Sequence, residues 1–257
     1  MNAETSNARA APMRVVVVED DPSIRHFVEL ALEDLPVDLV LCEDVAGALQ
    51  ALAHQPAGLV ITDLMLPPGP SGLVLVERLA RERHLCPTGC VVVFSAGISP
   101  TQREQLQAQG VWRILHKPVP MAELWDCVAQ AQRSPVAVAA PATAEAGPGT
   151  ARARSIALHF AGDAELRDEF FAGCRSRFAA DIDTGDQACA RGDTGALRVL
   201  LHSLKTVLGT LGYEALATLA RGAEVHAAAG EAAPAAALWR ALRVELAALA
   251  EAGEALS

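Results

Sequence analysis

The chain carries only two lysines, Lys117 and Lys205, against nineteen arginines. A compact ammonium on a flexible stem suits a small anion that arrives and leaves, whereas the planar guanidinium fork grips at two points. Lys117 closes the run Ile114-Leu115-His116-Lys117-Pro118, and Lys205 lies in His202-Ser203-Leu204-Lys205. Three other short apolar runs end in Glu19-Asp20-Asp21, in Thr62-Asp63 and in Phe94-Ser95-Ala96. Carboxylates, a hydroxyl and an ammonium in one pocket make a phosphoryl-transfer site that works by positioning and electrostatics. Converging carboxylates repel, and a hard cation such as Mg²⁺, which takes carboxylate, water and phosphate oxygens, relieves that repulsion.

The elements that must bring these groups together are legible in the first half. Val/Ile/Leu runs at residues 14–18, 38–41, 58–62, 90–95 and 111–115 are nearly continuous, as expected of strands buried on both faces. Helical patterns fill the gaps at 22–34, 45–54, 73–82, 100–109 and 120–132. Ser99-Pro100-Thr101-Gln102 carries a helix start, with a capping Ser, Pro at the first position and Gln at the third. Five such units predict a doubly wound α/β domain with a five-stranded parallel sheet, whose chemistry collects at the carboxyl ends of the strands. Asp21, ahead of Pro22, reads as a helix start.

The second half is helical only. Apolar residues recur at three-and-four spacing over 163–190, 194–211, 213–229 and 234–255, with Gly192, Gly212 and Gly230 between them. Four antiparallel helices with short loops predict an all-α four-helix bundle. Leu197, Leu200, Leu201, Leu204, Leu208 and Leu211 form the core stripe of the second helix. His202, Lys205 and Gly209 fall on another face, so His202 is expected to be exposed, with Gly209 clearing room for a partner to approach the imidazole. A Gly inside a helix costs about 1 kcal/mol relative to Ala, which calls for a packing or docking reason. A neutral imidazole is a competent nucleophile, and the neighbouring ammonium both disfavours its protonation and can neutralise a phosphoryl group carried on the ring.

Bulk properties narrow the field. At 257 residues the chain is long enough for two domains, and its formal net charge is −10. Residues 1–133 hold 10 basic against 16 acidic side chains, a net of −6, which leaves −4 for the rest. Neither half offers a basic face for a phosphate backbone, so nucleic acid is not expected as a partner. The longest apolar runs are strand-length and do not predict membrane insertion. Residues 1–12 are polar and Ala-rich without an apolar signal core, and are expected to be disordered in a cytoplasmic protein. Residues 134–150, rich in Pro, Ala, Gly and Thr, read as a linker between a domain at 13–133 and another at 151–257. Cys86 and Cys90 lack a second ligand pair for zinc, and all six cysteines are expected to be thiols in a reducing compartment.

Over residues 13–133 these motifs resemble the receiver domain of two-component response regulators. The resemblance implies that Asp63 is the phosphoacceptor, and that Glu19 and Asp20 hold Mg²⁺ with Asp63 and the backbone carbonyl of Met65. It implies that Ser95 is the switch hydroxyl, that Lys117 contacts a phosphoryl oxygen and pairs with Asp63 before phosphorylation, and that Pro118 follows a cis bond. Two features depart from the family pattern. Ile114 stands where an aromatic residue is usual, which removes the ring half of the switch and predicts a weak surface change. The Pro-rich loop at 66–72 is one residue longer.

His202-Ser203-Leu204-Lys205-Thr206, with Gly212 ten residues after the His, resembles the histidine phosphotransfer domain. The resemblance implies His202 as the phosphorylated residue and Lys205 as its supporting cation; Thr206 replaces the usual Gly. No nucleotide-binding glycine pattern is present, so phosphoryl groups must come from a sensor histidine kinase or another response regulator receiver. Three arrangements are open: a relay through Asp63 and His202, a module in which Asp63 phosphorylation gates access to His202, and a phosphate sink. A flexible linker permits relay and sink, whereas a rigid dock between the domains would favour gating.

Overall fold

The computed structural model describes residues 12–67, 69–133 and 150–252. The expected N-terminal tail, except Pro12, and the expected linker, except Thr150, lie outside the described residues, as does Pro68 of the long loop.

The first unit runs β1 (Met13–Val18), α1 (Pro22–Leu32), β2 (Val37–Cys42), α2 (Val45–His54), β3 (Leu59–Asp63) and α3 (Gly72–Arg81). It continues through β4 (Val91–Ser95), α4 (Pro100–Ala108), β5 (Arg113–His116) and α5 (Met121–Arg133). The strands form one parallel sheet in the order β2-β1-β3-β4-β5. Successive strand residues point to opposite faces, so β1 sends Val15 and Val17 to one core and Val16 and Val18 to the other. Both faces are covered, which is why the runs are continuous rather than alternating. The Ser99 capping box opens α4 as the sequence predicts, and Asp21 caps α1 by accepting from the backbone of Ser23 and Ile24.

The second unit has one helix more than the sequence pattern predicts. α6 (Ala151–His159) precedes α7 (Ala164–Arg191), α8 (Thr194–Thr210), α9 (Glu214–Ala228) and α10 (Ala232–Ala252). α6 is too short and Ala-rich to carry a clear apolar period, but Thr150 caps it and Ser155 Oγ donates to the carbonyl of Thr210 at 2.7 Å. Gly212 is what lets it approach. Its φ is +85°, and a Cβ there would lie 2.5 Å from the Ala151 carbonyl oxygen. The bundle core packs Leu201, Leu204 and Leu208 of α8 with small residues of α9, and the fully buried Trp239 of α10 lies against Gly185 of α7.

The two units are docked, and a single apolar core runs from one into the other. Phe27 of α1 meets Phe160 and Phe170 with ring centroids 5.6 and 5.5 Å apart, both edge-on, and Phe160 and Phe170 are themselves 5.7 Å apart. Three of the chain's six phenylalanines are thus spent on this seam, in the edge-to-face geometry that aromatic quadrupoles prefer. Alongside, Arg177 of α7 donates to Ser23 Oγ at 3.2 Å and faces Asp21 at 3.7 Å.

Because Phe27 belongs to one unit and its partners to the other, Phe27→Ala should do two things. It should lower the unfolding free energy by about 3–5 kcal/mol, and it should split urea unfolding into two transitions. A single, unshifted transition would show that the seam adds nothing.

Candidate functional site

The strand ends deliver the first cluster. Glu19 and Asp20 follow β1, and the guanidinium of Arg25 fixes their loop by donating to both backbone carbonyls, at 2.6 and 2.7 Å. Asp63 ends β3, Ser95 ends β4, and Lys117 follows β5. The register places Asp63 opposite Phe94 and Ser95 opposite His116, so these groups converge at one edge of the sheet. Lys117 Nζ donates to Glu19 Oε2 and to Asp63 Oδ2, both at 2.5 Å, and the Met65 amide donates to Asp63 Oδ1 at 3.0 Å. Ser95 Oγ donates to the Gly97 carbonyl and accepts from the Gly97 amide. The Lys117–Pro118 peptide is cis. Gly72 permits the tight turn under Asp63, where a Cβ would fall 1.8 Å from the Asp63 carbonyl oxygen.

The electrostatics are those of too many acids for one cation. Burial pushes Glu19 up to about 8 against the pull of Lys117, and the charge on Asp63 adds to the rise. Burial and Asp63 also raise Asp20, to about 6. Lys117 is driven the other way by desolvation, but its two carboxylate partners outweigh that and raise it, so it stays an ammonium. Carboxylate oxygens of Glu19, Asp20 and Asp63 lie within 4.8 Å of one another. Three hard oxygen donors sharing one ammonium fit a divalent cation such as Mg²⁺. Ile114 is partly buried against the apolar core on the α4 side of the sheet.

The second cluster lies on α8. His202 Nδ1 sits 2.7 Å from Glu224 Oε1, and Lys205 Nζ donates to Glu224 Oε2 at 2.6 Å. Burial pushes the Glu224 carboxyl up, but the hydrogen bonds from His202 and Lys205 prevail and hold it below its usual value. An ionised carboxylate only accepts, so Nδ1 carries the proton, and in the neutral ring Nε2 carries the lone pair. Thr206 Oγ1 donates to the His202 carbonyl at 3.3 Å.

Sequence reasoning missed Glu224. Its signal was present: Ala217, Ala220 and Ala227 form the buried face of α9, and Glu224 falls within that stripe at helical spacing. A carboxylate among alanines needs a partner on the facing helix.

His202 is not exposed, contrary to the sequence expectation. Its side chain is 15 % exposed, and Nε2 is buried without a hydrogen-bond partner. The first unit covers this face: a Cβ on Gly209 would lie 3.5 Å from Pro118 Cγ. The partner for which Gly209 clears room is therefore the same chain. Between the units lies a cavity of about 490 Å³ lined by Asp63, Met65 and Ser95 on one side and by Arg198, Val199 and His202 on the other. The dock thus brings Asp63 and His202 to one space.

Comparison with known proteins fits this geometry. Residues 15–129 match the response regulator receiver domain. The response regulator protein PilR of Pseudomonas aeruginosa is 33% identical over 130 residues, covering 50% of this chain and 28% of its own length. The sensory/regulatory protein RpfC of Xanthomonas campestris pv. campestris is 28% identical over 233 residues, covering 82% of this chain and 30% of its own length. The chain thus spans less than a third of either relative. Among solved structures, the receiver domain of the sensor histidine kinase PA1611 from Pseudomonas aeruginosa, with a magnesium ion coordinated in its active site cleft, is similar at 22% identity. Its TM-score is 0.43, covering 48% of this chain and all of that one. Residues 15–129 are a receiver domain of two-component signalling, followed by a helical region. Among the described residues, no helix is long and apolar enough to cross a membrane.

Glu224→Ala would strip the acceptor from two part-buried donors, His202 Nδ1 and Lys205 Nζ. It should cost about 1–3 kcal/mol in urea unfolding, with Glu224→Gln falling between it and the parent. An unchanged midpoint for Glu224→Ala would mean that the pairings contribute nothing.

Proposed function

We propose that this chain is a phosphorelay protein in which Asp63 accepts a phosphoryl group and His202, in a histidine phosphotransfer bundle, carries it onward. The observation that carries the reading is the shared cavity, which Asp63 and His202 both line, together with a His202 Nε2 that has no hydrogen-bond partner. The alignment with RpfC, which extends beyond residues 15–129, also supports treating both halves together.

A sensor histidine kinase or another response regulator receiver would supply or take the group. The Asp63 carboxylate attacks the incoming phosphorus. An O–P bond forms as the bond from phosphorus to the donor's own histidine or aspartate breaks and that side chain leaves, with Lys117 neutralising one phosphoryl oxygen and the Ser95 hydroxyl reaching another. Mg²⁺, held by Glu19, Asp20, Asp63 and the Met65 carbonyl, would offset the charge on the remaining oxygens. The Nε2 lone pair of His202 then attacks phosphorus, a P–N bond forms, and the bond to the Asp63 oxygen breaks. The freed carboxylate returns to Lys117. No proton moves, because Nδ1 keeps its hydrogen on Glu224, whose charge stabilises the ring cation, and Lys205 balances the added phosphate. With Ile114 in place of a swinging ring, the signal passes as the phosphoryl group itself rather than through a large surface change.

Gated access is a second reading, and the aromatic seam favours it, since a dock limits who reaches His202. The shared cavity argues for exchange as well. All six cysteines are free thiols, five of them buried, in keeping with a reducing, cytoplasmic setting.

Asp63→Asn should abolish acyl-phosphate formation from acetyl phosphate while leaving the circular dichroism spectrum unchanged, and chelating Mg²⁺ should do the same to the parent. Full labelling in either case refutes the site. His202→Gln should leave Asp63 labelling intact and remove acid-labile label from residues 151–257, as mapped by mass spectrometry. Phosphohistidine persisting in that segment would move the site to another histidine.

A further inference from the structure

The bundle covers the receiver face at Asp63, and the way it is covered has a consequence for outside partners. The rim of that face comes from three places. α1 contributes Ser23, His26 and Phe27, the loop after β3 contributes Met65 and Pro67, and Pro118 follows β5. The bundle packs on the first and third and faces the second across the cavities. Phe160 and Phe170 seat on Phe27, Arg177 holds Ser23 and faces Asp21, and Gly173 brings α7 against His26, where a Cβ would meet the ring at 3.3 Å. Gly209 rests on Pro118, and Val199 of α8 lines both interdomain cavities.

What remains open is small. The cavity at Asp63 is about 490 Å³, and its second wall is α8 itself, through Arg198, Val199 and His202. A small phosphodonor fits beside Asp63 and His202, but a helix presenting its own phosphohistidine does not. Such a helix must take the place that α8 occupies. The bundle competes as a tethered partner, with the advantage in effective concentration that covalent linkage brings.

We propose that the receiver has one docking face for histidine-bearing helices and that the chain's own bundle fills it. An outside donor or acceptor then reaches Asp63 or His202 only when the seam opens. This rests on the relay reading above and deepens it: exchange inside the chain is the default, and traffic with other proteins is limited by undocking. The surface fits a helical-bundle protein bearing a phosphohistidine, and the seam residues on α1 and α7, rather than the reacting groups, set how often it is free.

The test uses full-length chains as each other's partners. The donor is Asp63→Asn, labelled on His202 with phosphoramidate; the acceptor is His202→Gln. Seam openers are Gly173→Arg, which drives a long side chain against His26 at a helical glycine, and Arg177→Glu, which sets a carboxylate facing Asp21. Neither touches the reacting groups. With intact seams, transfer between chains should be slow. Either opener, placed in both chains, should speed it by about tenfold or more, since only the open fraction reacts. Labelling of Asp63 by acetyl phosphate, which needs no opening, should change by less than about twofold on the same reasoning. Equal transfer rates with and without the openers would overturn the proposal. An acetyl phosphate rate that rises in step with the transfer rate would also overturn it, because small donors would then be gated too. Failure of Asp63 and His202 to take label from either small donor would instead sink the relay reading on which this one stands.

Discussion

Three carboxylates sharing one ammonium is the constraint from which the rest of this structure follows. Glu19, Asp20 and Asp63 are brought together by a parallel sheet whose strands all end on the same edge. Among the described residues Lys117 is the cation that pairs with them, and it splits its hydrogen bonds between Glu19 and Asp63. Burial raises both Glu19 and Asp20 because each would sooner be neutral than charged in that setting. The arrangement holds latent demand for positive charge. A divalent cation would satisfy it, and in the proposed function phosphoryl oxygens would find Lys117 and Ser95 in place. Arg25, which clamps the Glu19 and Asp20 carbonyls, keeps the acids aimed at the site.

In the proposed relay the bundle solves the complementary problem, which is to present a nucleophile without a net charge of its own. Glu224 accepts from both His202 and Lys205, so a carboxylate, an imidazole N–H and an ammonium form a closed set. The proton is fixed on Nδ1, and Nε2 is left free to react. The two sites are thus opposite in character, an acid-rich pocket that needs a cation and a compensated imidazole that needs an electrophile. In the proposed relay, a phosphoryl group carried on Asp63 would meet both requirements.

The seam makes this complementarity a property of one chain. Aromatic residues are scarce here, and concentrating three phenylalanines between α1, α7 and the end of α6 marks the dock as a built contact. The sequence pointed to a linker and left docking open, with a rigid dock read as favouring gating. The structure shows a dock that also places Asp63 and His202 on a common cavity, so gating of outside partners and exchange within the chain can be two aspects of one surface.

The chain's own pattern determined what depends on position along a single element. Continuous apolar runs separated by helical periods fix a parallel sheet buried on both faces. Once the strands are parallel, their carboxyl ends must share an edge, so Asp63, Ser95, Lys117 and the Glu19–Asp20 pair were legible before any coordinates. The capping residues Asp21 and Ser99 act over three residues and were equally plain. The three-residue spacing of His202 and Lys205 put them on one helical face. Periodicity does not say what covers a face, and there the tertiary structure decided. His202 lies on the polar face of α8 yet is mostly buried, because Glu224 of α9 pairs with it and the other unit packs along the same face at Gly209. Glu224 is 22 residues from its histidine partner, and only the crossing of α8 and α9 brings them together. α6 is held by the close approach that Gly212 allows rather than by an apolar stripe of its own. Each depends on contacts between elements, and such contacts are set by packing geometry that no local repeat encodes.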